Sequence, residues 1–348
     1  MKRKQRIIIR KNVRALSNSE KKNFIKAVKG LKAKPYRSKN DDDYKSVSVY
    51  DHYVIMHTLA MNTMIDGVRN LAHSGPIFLP WHREFLRRFE KDLRKIVPTV
   101  TLPYWSWVDD SKYPQNSPIW SEDFLGGNGD PNYTHPSLDF KPSPERGFVV
   151  RTGPFKYDPV DPRSWNVVVY DDFGKPIVDR NGNIRREPLL RWFKLAANSS
   201  FPSSSQIDAL NKINLYDSHD WFVHRSDKNS SFRNVLEGWK PFGLHNAVHS
   251  WIGGTMQFAM SPGDPVFFLN HCNVDRLWAE WQNLDNNRSY PKNGSITRPD
   301  GSLISGNNRS DIMFPWNTYS DGNPTIESML NHRLLGYRYD TEKSRYQP

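Results

Sequence analysis

A chain of 348 residues with one cysteine, Cys272, can close no internal disulfide. That fits a reducing compartment or indifference to oxidation. Long apolar runs are missing as well. The chain opens with positive charge, but the run that follows is three isoleucines, far short of the core of a secretory signal. No stretch approaches the roughly 18 apolar residues that a membrane helix needs. A soluble protein without a membrane partner is expected, cytoplasmic by default, with export by a partner protein left open. Acidic residues are scarce at one end only. Residues 1–38 hold 14 Lys/Arg against one acid, Glu20, so the formal net charge of +12 belongs to this segment and the rest sums to about −1. A uniformly basic binding domain does not fit that distribution, no nucleic-acid-binding signature accompanies it, and no nucleic-acid partner is expected. HExxH, the paired cysteines of a zinc site and the G-x-S-x-G elbow are absent too, which disfavours zinc and serine-nucleophile chemistry.

Aromatics, by contrast, are plentiful at 13%, with 12 Trp, enough for a sizeable core although only 37% of residues are hydrophobic. Six of the 11 histidines fall into two triplets. His57, His73 and His82 sit in YDHYVIMHTL, RNLAHSG and FLPWHREFLRRFE; His245, His249 and His271 sit in PFGLHNAVHSWIGG and DPVFFLNHCNVDRLWAEWQ. Three neutral imidazoles suit one copper ion and leave coordination positions open. The other five, His52, His135, His219, His224 and His332, have no partner at a sensible spacing and read as surface or structural residues.

Four segments around the triplets carry helical periodicity. Tyr50, Val54, His57, Met61 and Met64 share one face, as do His82, Leu86, Phe89, Leu93 and Ile96 after Pro80. A short helix over Leu244–Trp251 is ended by Gly253 and Gly254, and a fourth runs through Phe267, His271, Val274, Trp278 and Trp281. His245 and His249 stand four apart, so both rings leave one face. His73 lies on the connection between the first two helices. Asp275, one turn after His271, is placed to accept that imidazole's second proton. Residues 108–205 and 285–325 are rich in Pro, Gly, Asn and Asp, with short β-like runs such as Phe148–Arg151 and Trp165–Tyr170. They read as packed excursions from one domain over 1–348, because nothing between the triplets looks like a linker.

These motifs, taken in order, resemble the type-3 copper proteins, and within them the tyrosinases of bacterial type. The likeness runs from IRKNVRALS through YDHYVIMH, AHSGPIFLPWHREFLRRFEKDL and TLPYWSW, then resumes at VLEGWKPFGLHNAVHSWIGGTM and DPVFFLNHCNVDRLWAEWQ. It implies a mostly α fold whose central four-helix bundle holds a dinuclear copper site, with irregular loops and short β elements around it. The copper A region is about 50–98 and the copper B region about 237–285. By this resemblance His57, His73 and His82 match the copper A ligands, and His245, His249 and His271 match those of copper B. Glu237 and Asn246 match a pair that holds a water acting as base toward phenols. Phe267 matches an aromatic packed on the copper B histidines, and Met260 a residue over the copper pocket. LLGYRYD resembles a tyrosine motif that packs near an N-terminal arginine, here Arg10.

Three departures stand out. Asn270 replaces the first member of the usual His–His pair. Leu71 stands where relatives with a thioether to the second copper A histidine carry cysteine, so no such tether forms. The chain ends soon after the tyrosine motif, without the C-terminal shielding domain of many relatives. The activity implied is oxidation of small phenolic substrates with two copper ions and O2 as co-substrate: ortho-hydroxylation of monophenols and oxidation of o-diphenols to o-quinones. Catechol or o-aminophenol oxidation without hydroxylation is the alternative. Haemocyanin-like O2 carriage is a more distant one, since the chain has no room for the extra domains of a carrier. The oligomeric state stays open.

Overall fold

Two helices begin on reciprocal caps. Ser17 and Glu20 start α1 (Asn18–Ala33), and Ser48 and Asp51 start α2 (Val49–Asn62). In each, the serine side chain accepts a main-chain N–H and the acid accepts one in return, so two donors that a helix start leaves orphaned are satisfied. The computed structural model describes residues 7–36, 47–65, 69–133, 141–161, 163–194, 201–217, 231–239, 242–292, 296–297, 301, 303–304, 306–316 and 322–342. His135, His219 and His224 lie outside the described residues. Five more α-helices follow: α3 (Phe78–Ile96), α4 (Ser204–Asn211), α5 (Phe232–Glu237), α6 (Leu244–Ile252) and α7 (Val266–Leu284). The periodic segments are thus helices, except that α2 ends at Asn62, so Met64 lies beyond it and is exposed; α3 starts two residues before Pro80. There a missing N–H costs nothing, because the first turn has no partner for it.

The core is largely aromatic where α2, α3 and α7 meet. Phe268 stacks on Phe89 at 3.5 Å between ring centroids, and Tyr50 and Tyr53 meet both rings edge-on. The irregular segments contribute short strands. β1 (Ile8–Arg10) pairs in parallel with β9 (Tyr337–Tyr339), so the N-terminal arm lies beside the tyrosine motif. β2 (Gly129–Asp130), β3 (Phe148–Val150) and β6 (Leu190–Arg191) form an antiparallel sheet; β4 (Asn166–Val168) pairs with β5 (Arg186–Pro188), and β7 (Ile296–Thr297) with β8 (Leu303–Ile304). Among the described residues, no helix is long and apolar enough to cross a membrane.

Charge is buried at the join between α3, α7, β1 and β9. Arg10, fully buried, lies 3.6 Å over the Tyr337 ring and donates to Glu90, Asp275 and the Tyr339 hydroxyl. Arg83 donates to Asp275 from the other side, and the Tyr337 and Tyr339 hydroxyls complete that carboxylate's shell. The packing of Arg10 against the tyrosine motif is as expected. The reading of Asp275 is corrected. Its carboxylate does not serve His271; it is held by two guanidiniums and two phenols. Two cations attract a buried carboxylate far more strongly than a neutral imidazole N–H does.

Burial tends to raise the Asp275 carboxyl's pKa, but Arg83 and Arg10 pull it below its ordinary value. A depressed carboxyl pKa contributes stability that is present above the unfolded value, about pH 4, and lost as pH falls through the folded one. Asp275→Asn is expected to cost about 3–5 kcal/mol at pH 7, the usual effect of removing one partner of a buried ion pair. Urea unfolding at pH 7 and at about pH 3, below the unfolded value, checks this: the gap from the parent should narrow at the lower pH.

Candidate metal centre

The four helices bring five of the six histidines inward: His57 from α2, His82 from α3, His245 and His249 from α6, and His271 from α7. His73 comes from the loop between α2 and α3. Within each triplet, one ring nitrogen per residue lies within 4.8 Å of the others. The triplets face each other, with His82 and His271 stacked at 4.2 Å and His73 and His245 at 6.4 Å between centroids. Phe267, fully buried, sits against both sets, 4.1 Å from His271, 4.9 Å from His57 and 6.0 Å from His249.

Backbone carbonyls choose the tautomers. The Nδ1–H groups of His57, His82 and His249 donate to Ala259 O (2.7 Å), Phe78 O (2.8 Å) and Met256 O (2.6 Å). His245 Nδ1 faces Asn246 Oδ1 at 2.9 Å and Glu237 O at 3.2 Å. Each of these rings therefore turns an Nε2 lone pair inward. Met260, expected over the metal pocket, lines a cleft with Val167, Leu190, Thr255 and Phe258. Its segment serves the site through the main chain at Met256 and Ala259.

Burial, the largest cause in every case, keeps all six imidazoles uncharged. It lowers His57 to about 3 and His249 to about 4, and His73, His82, His245 and His271 well below the ordinary value, the other histidines adding to the effect on these four. Neutral imidazole is the metal-binding form. The orphaned atoms fit an ion as well. His57 Nε2 and His82 Nε2 are buried without a hydrogen-bond partner among the described residues. His271 Nε2 lies 3.1 Å from His245 Nε2 and 3.3 Å from His249 Nε2, so one proton could serve only one of the pairs. Metal–imidazole bonds of about 2.0 Å in tetrahedral array place ligand nitrogens about 3.3 Å apart.

Glu237 is fully buried at the end of α5, not a surface acid. Its Oε1 accepts from the Ser74 N–H and its Oε2 from Arg233, each at 2.8 Å; Arg233 in turn grips Asp217 at 2.6 and 3.0 Å. Burial raises the Glu237 carboxyl while Arg233 opposes it. Gly238 follows with φ +93°, and a Cβ there would lie 1.9 Å from Gly243 O, so only glycine allows the tight return from Glu237 to α6. Arg233 was not singled out from the sequence, although its place four residues before Glu237 on one helix was a usable signal. The carbonyls of Phe78, Met256 and Ala259 leave no such signal.

The remaining candidates are structural. Asn270 Oδ1 accepts from Trp107 Nε1 at 2.9 Å. The Cys272 thiol, pushed up to about 12 by burial, faces Leu102 O and the Tyr339 hydroxyl. His52 stacks on Tyr36 and His332 pairs with Glu342.

Two metal ions per chain are expected from two complete triplets, and His249→Ala should leave about one and abolish turnover. Metal analysis after copper loading checks this. A single ion in the parent, or substantial oxidase activity in the variant, would show the ligand sets to be wrong.

Comparison with known proteins agrees with this geometry. The family model for the common central domain of tyrosinase matches residues 47–284. Grixazone synthase of Streptomyces griseus subsp. griseus is 36% identical over 79% of this chain and 84% of its own length. The tyrosinase of Streptomyces glaucescens is 33% identical over 96% of this chain and 99% of its own. Among solved structures, polyphenol oxidase from Thermothelomyces thermophila superimposes with a TM-score of 0.69 at 26% identity, covering 96% of this chain and 88% of that one. With both histidine triplets in place inside the matched core, the chain belongs to the tyrosinase family, oxidoreductases with a dinuclear copper centre.

Proposed function

We propose that this type-3 copper phenol oxidase hydroxylates monophenols at the ortho position and oxidises the resulting o-diphenols to o-quinones. The observation that carries the hydroxylating step is Glu237, a buried carboxylate beside the main chain that His245 contacts, with Asn246 adjacent. When bound, the copper pair supplies the redox and Lewis-acid chemistry toward O2.

The protein's own contribution follows from its side chains. His57, His73 and His82 would hold one ion, and His245, His249 and His271 the other. The aromatic walls of Phe78 and Phe267 keep the centre dry, so the imidazoles stay neutral and aimed. A phenol near pKa 10 is almost wholly protonated at neutral pH and needs a base before ring attack. A carboxylate has about four lone-pair sites. Ser74 and Arg233 use two of those on Glu237, leaving room for a water shared with Asn246. That water would take the phenol's proton. Diphenols are more acidic and depend on it less.

A second reading, oxidation of o-diphenols or o-aminophenols without hydroxylation, is supported by the similarity to a relative not itself named a tyrosinase, grixazone synthase. Paired initial rates on tyrosine, dopa and an o-aminophenol decide between the two. Glu237→Gln is expected to lower tyrosine oxidation by about 10²-fold or more, the range of general-base catalysis, while dopa oxidation changes little and both coppers stay. Equal loss on both substrates would remove Glu237 as the base. No tyrosine oxidation by the parent enzyme would leave the second reading standing.

A further inference from the structure

Of the six histidines, His73 is the one the fold grips least directly. The other five are on helices, and four have Nδ1 hydrogen-bonded to an oxygen. His73 stands on a loop, and its buried Nδ1 has no hydrogen-bond partner among the described residues. Leu71 offers no side-chain tether. The ring's position is therefore set by the main chain on either side of it. On one side, Asn70 Oδ1 accepts from the N–H groups of Ala72 (3.0 Å) and His73 (2.6 Å). On the other, the Ser74 N–H donates to Glu237 Oε1, 163 residues away in sequence. Ser74 has φ +60°, an unusual conformation for a residue with a side chain, so a partner must hold it there.

We propose that Glu237 is a positioning residue for His73, acting through the Ser74 N–H, and so registers the loop of the first triplet against the second. The same residue's carbonyl faces His245 Nδ1, so one residue touches the supports of both triplets. Arg233, locked on Asp217, fixes the other carboxylate oxygen and thereby the direction in which Oε1 is presented. The role rests on the six-histidine ligand sets and is independent of whether Glu237 also holds a base.

Glu237→Gln keeps one acceptor oxygen where Ser74 and Arg233 both donate, so the amide serves only one of them and faces the other with its NH2. Glu237→Leu loses the acceptor, and Glu237→Asp, one methylene shorter, keeps the charge beside Arg233 but does not reach Ser74. Each is made in two copper-loaded backgrounds: His249→Ala, where the first triplet alone is complete, and His57→Ala, where the second is. Copper remaining per chain is measured against a graded copper chelator. In the His249→Ala background, the Leu and Asp variants should release copper about 10–100-fold more readily, the usual effect of losing a support behind a metal ligand, and Gln, whose single amide oxygen is shared between two donors, should fall between them and the parent. In the His57→Ala background all three should match it. First-triplet copper held as tightly in Leu and Asp as in the parent, or weakened equally in both backgrounds, would overturn the proposal. Should the Leu variant fail to fold, the Asp variant decides by the same criterion. Copper retention reads positioning and the tyrosine-to-dopa ratio of Glu237→Gln reads the base, so either can fail alone.

Discussion

Imidazole nitrogens facing one another across a dry core define this molecule. His271 Nε2 lies 3.1 and 3.3 Å from two other ring nitrogens, and the His245 and His271 rings are buried. Lone pairs brought so close repel unless a cation sits between them, and burial keeps the rings from charging themselves. The arrangement exists only because the surroundings enforce it. Carbonyls at Phe78, Met256 and Ala259 hold the tautomers, Phe267 separates and packs the rings, and four helices supply rigid anchorage.

Rigid anchorage in turn depends on a second buried cluster, next to the first and opposite in character. Where the metal centre gathers neutral acceptors, the Asp275 cluster gathers full charges. Two guanidiniums, two carboxylates and two phenols join the N-terminal strand, α3, α7 and the C-terminal strand. Arg83 follows His82 on α3, and Asp275 is one turn from His271 on α7. An ion pair between those two residues therefore sets the helix spacing that decides how closely His82 and His271 stack. β1 and β9 close over this cluster, which explains why a pair of three-residue strands can matter to a helical fold.

Much of the site was legible in the sequence. His57, His82, His245, His249 and His271 each fall on the apolar stripe of a periodic segment, and periodicity tells which way a helical side chain points. Arg10 with Tyr337 and Tyr339, and the place of Phe267, followed from resemblance of motif. Asp275 did not. Helical spacing put it one turn from His271, but spacing cannot show that Arg83 and Arg10 arrive from other parts of the chain. What the Met260 segment does was not legible for a related reason: it works through main-chain carbonyls, those of Met256 and Ala259, and every residue has one.

The sequence by itself determined the kinds of ligand, their number, and the helices that carry most of them, because these follow from residue type and from a 3.6-residue repeat. Tertiary structure alone decided which nitrogen of each ring turns inward and what holds His73 in place. It also decided that Glu237 is buried in an ion pair and not exposed at a helix end. Those outcomes depend on contacts between residues up to about two hundred positions apart, made partly by main-chain atoms, and local pattern carries no record of them.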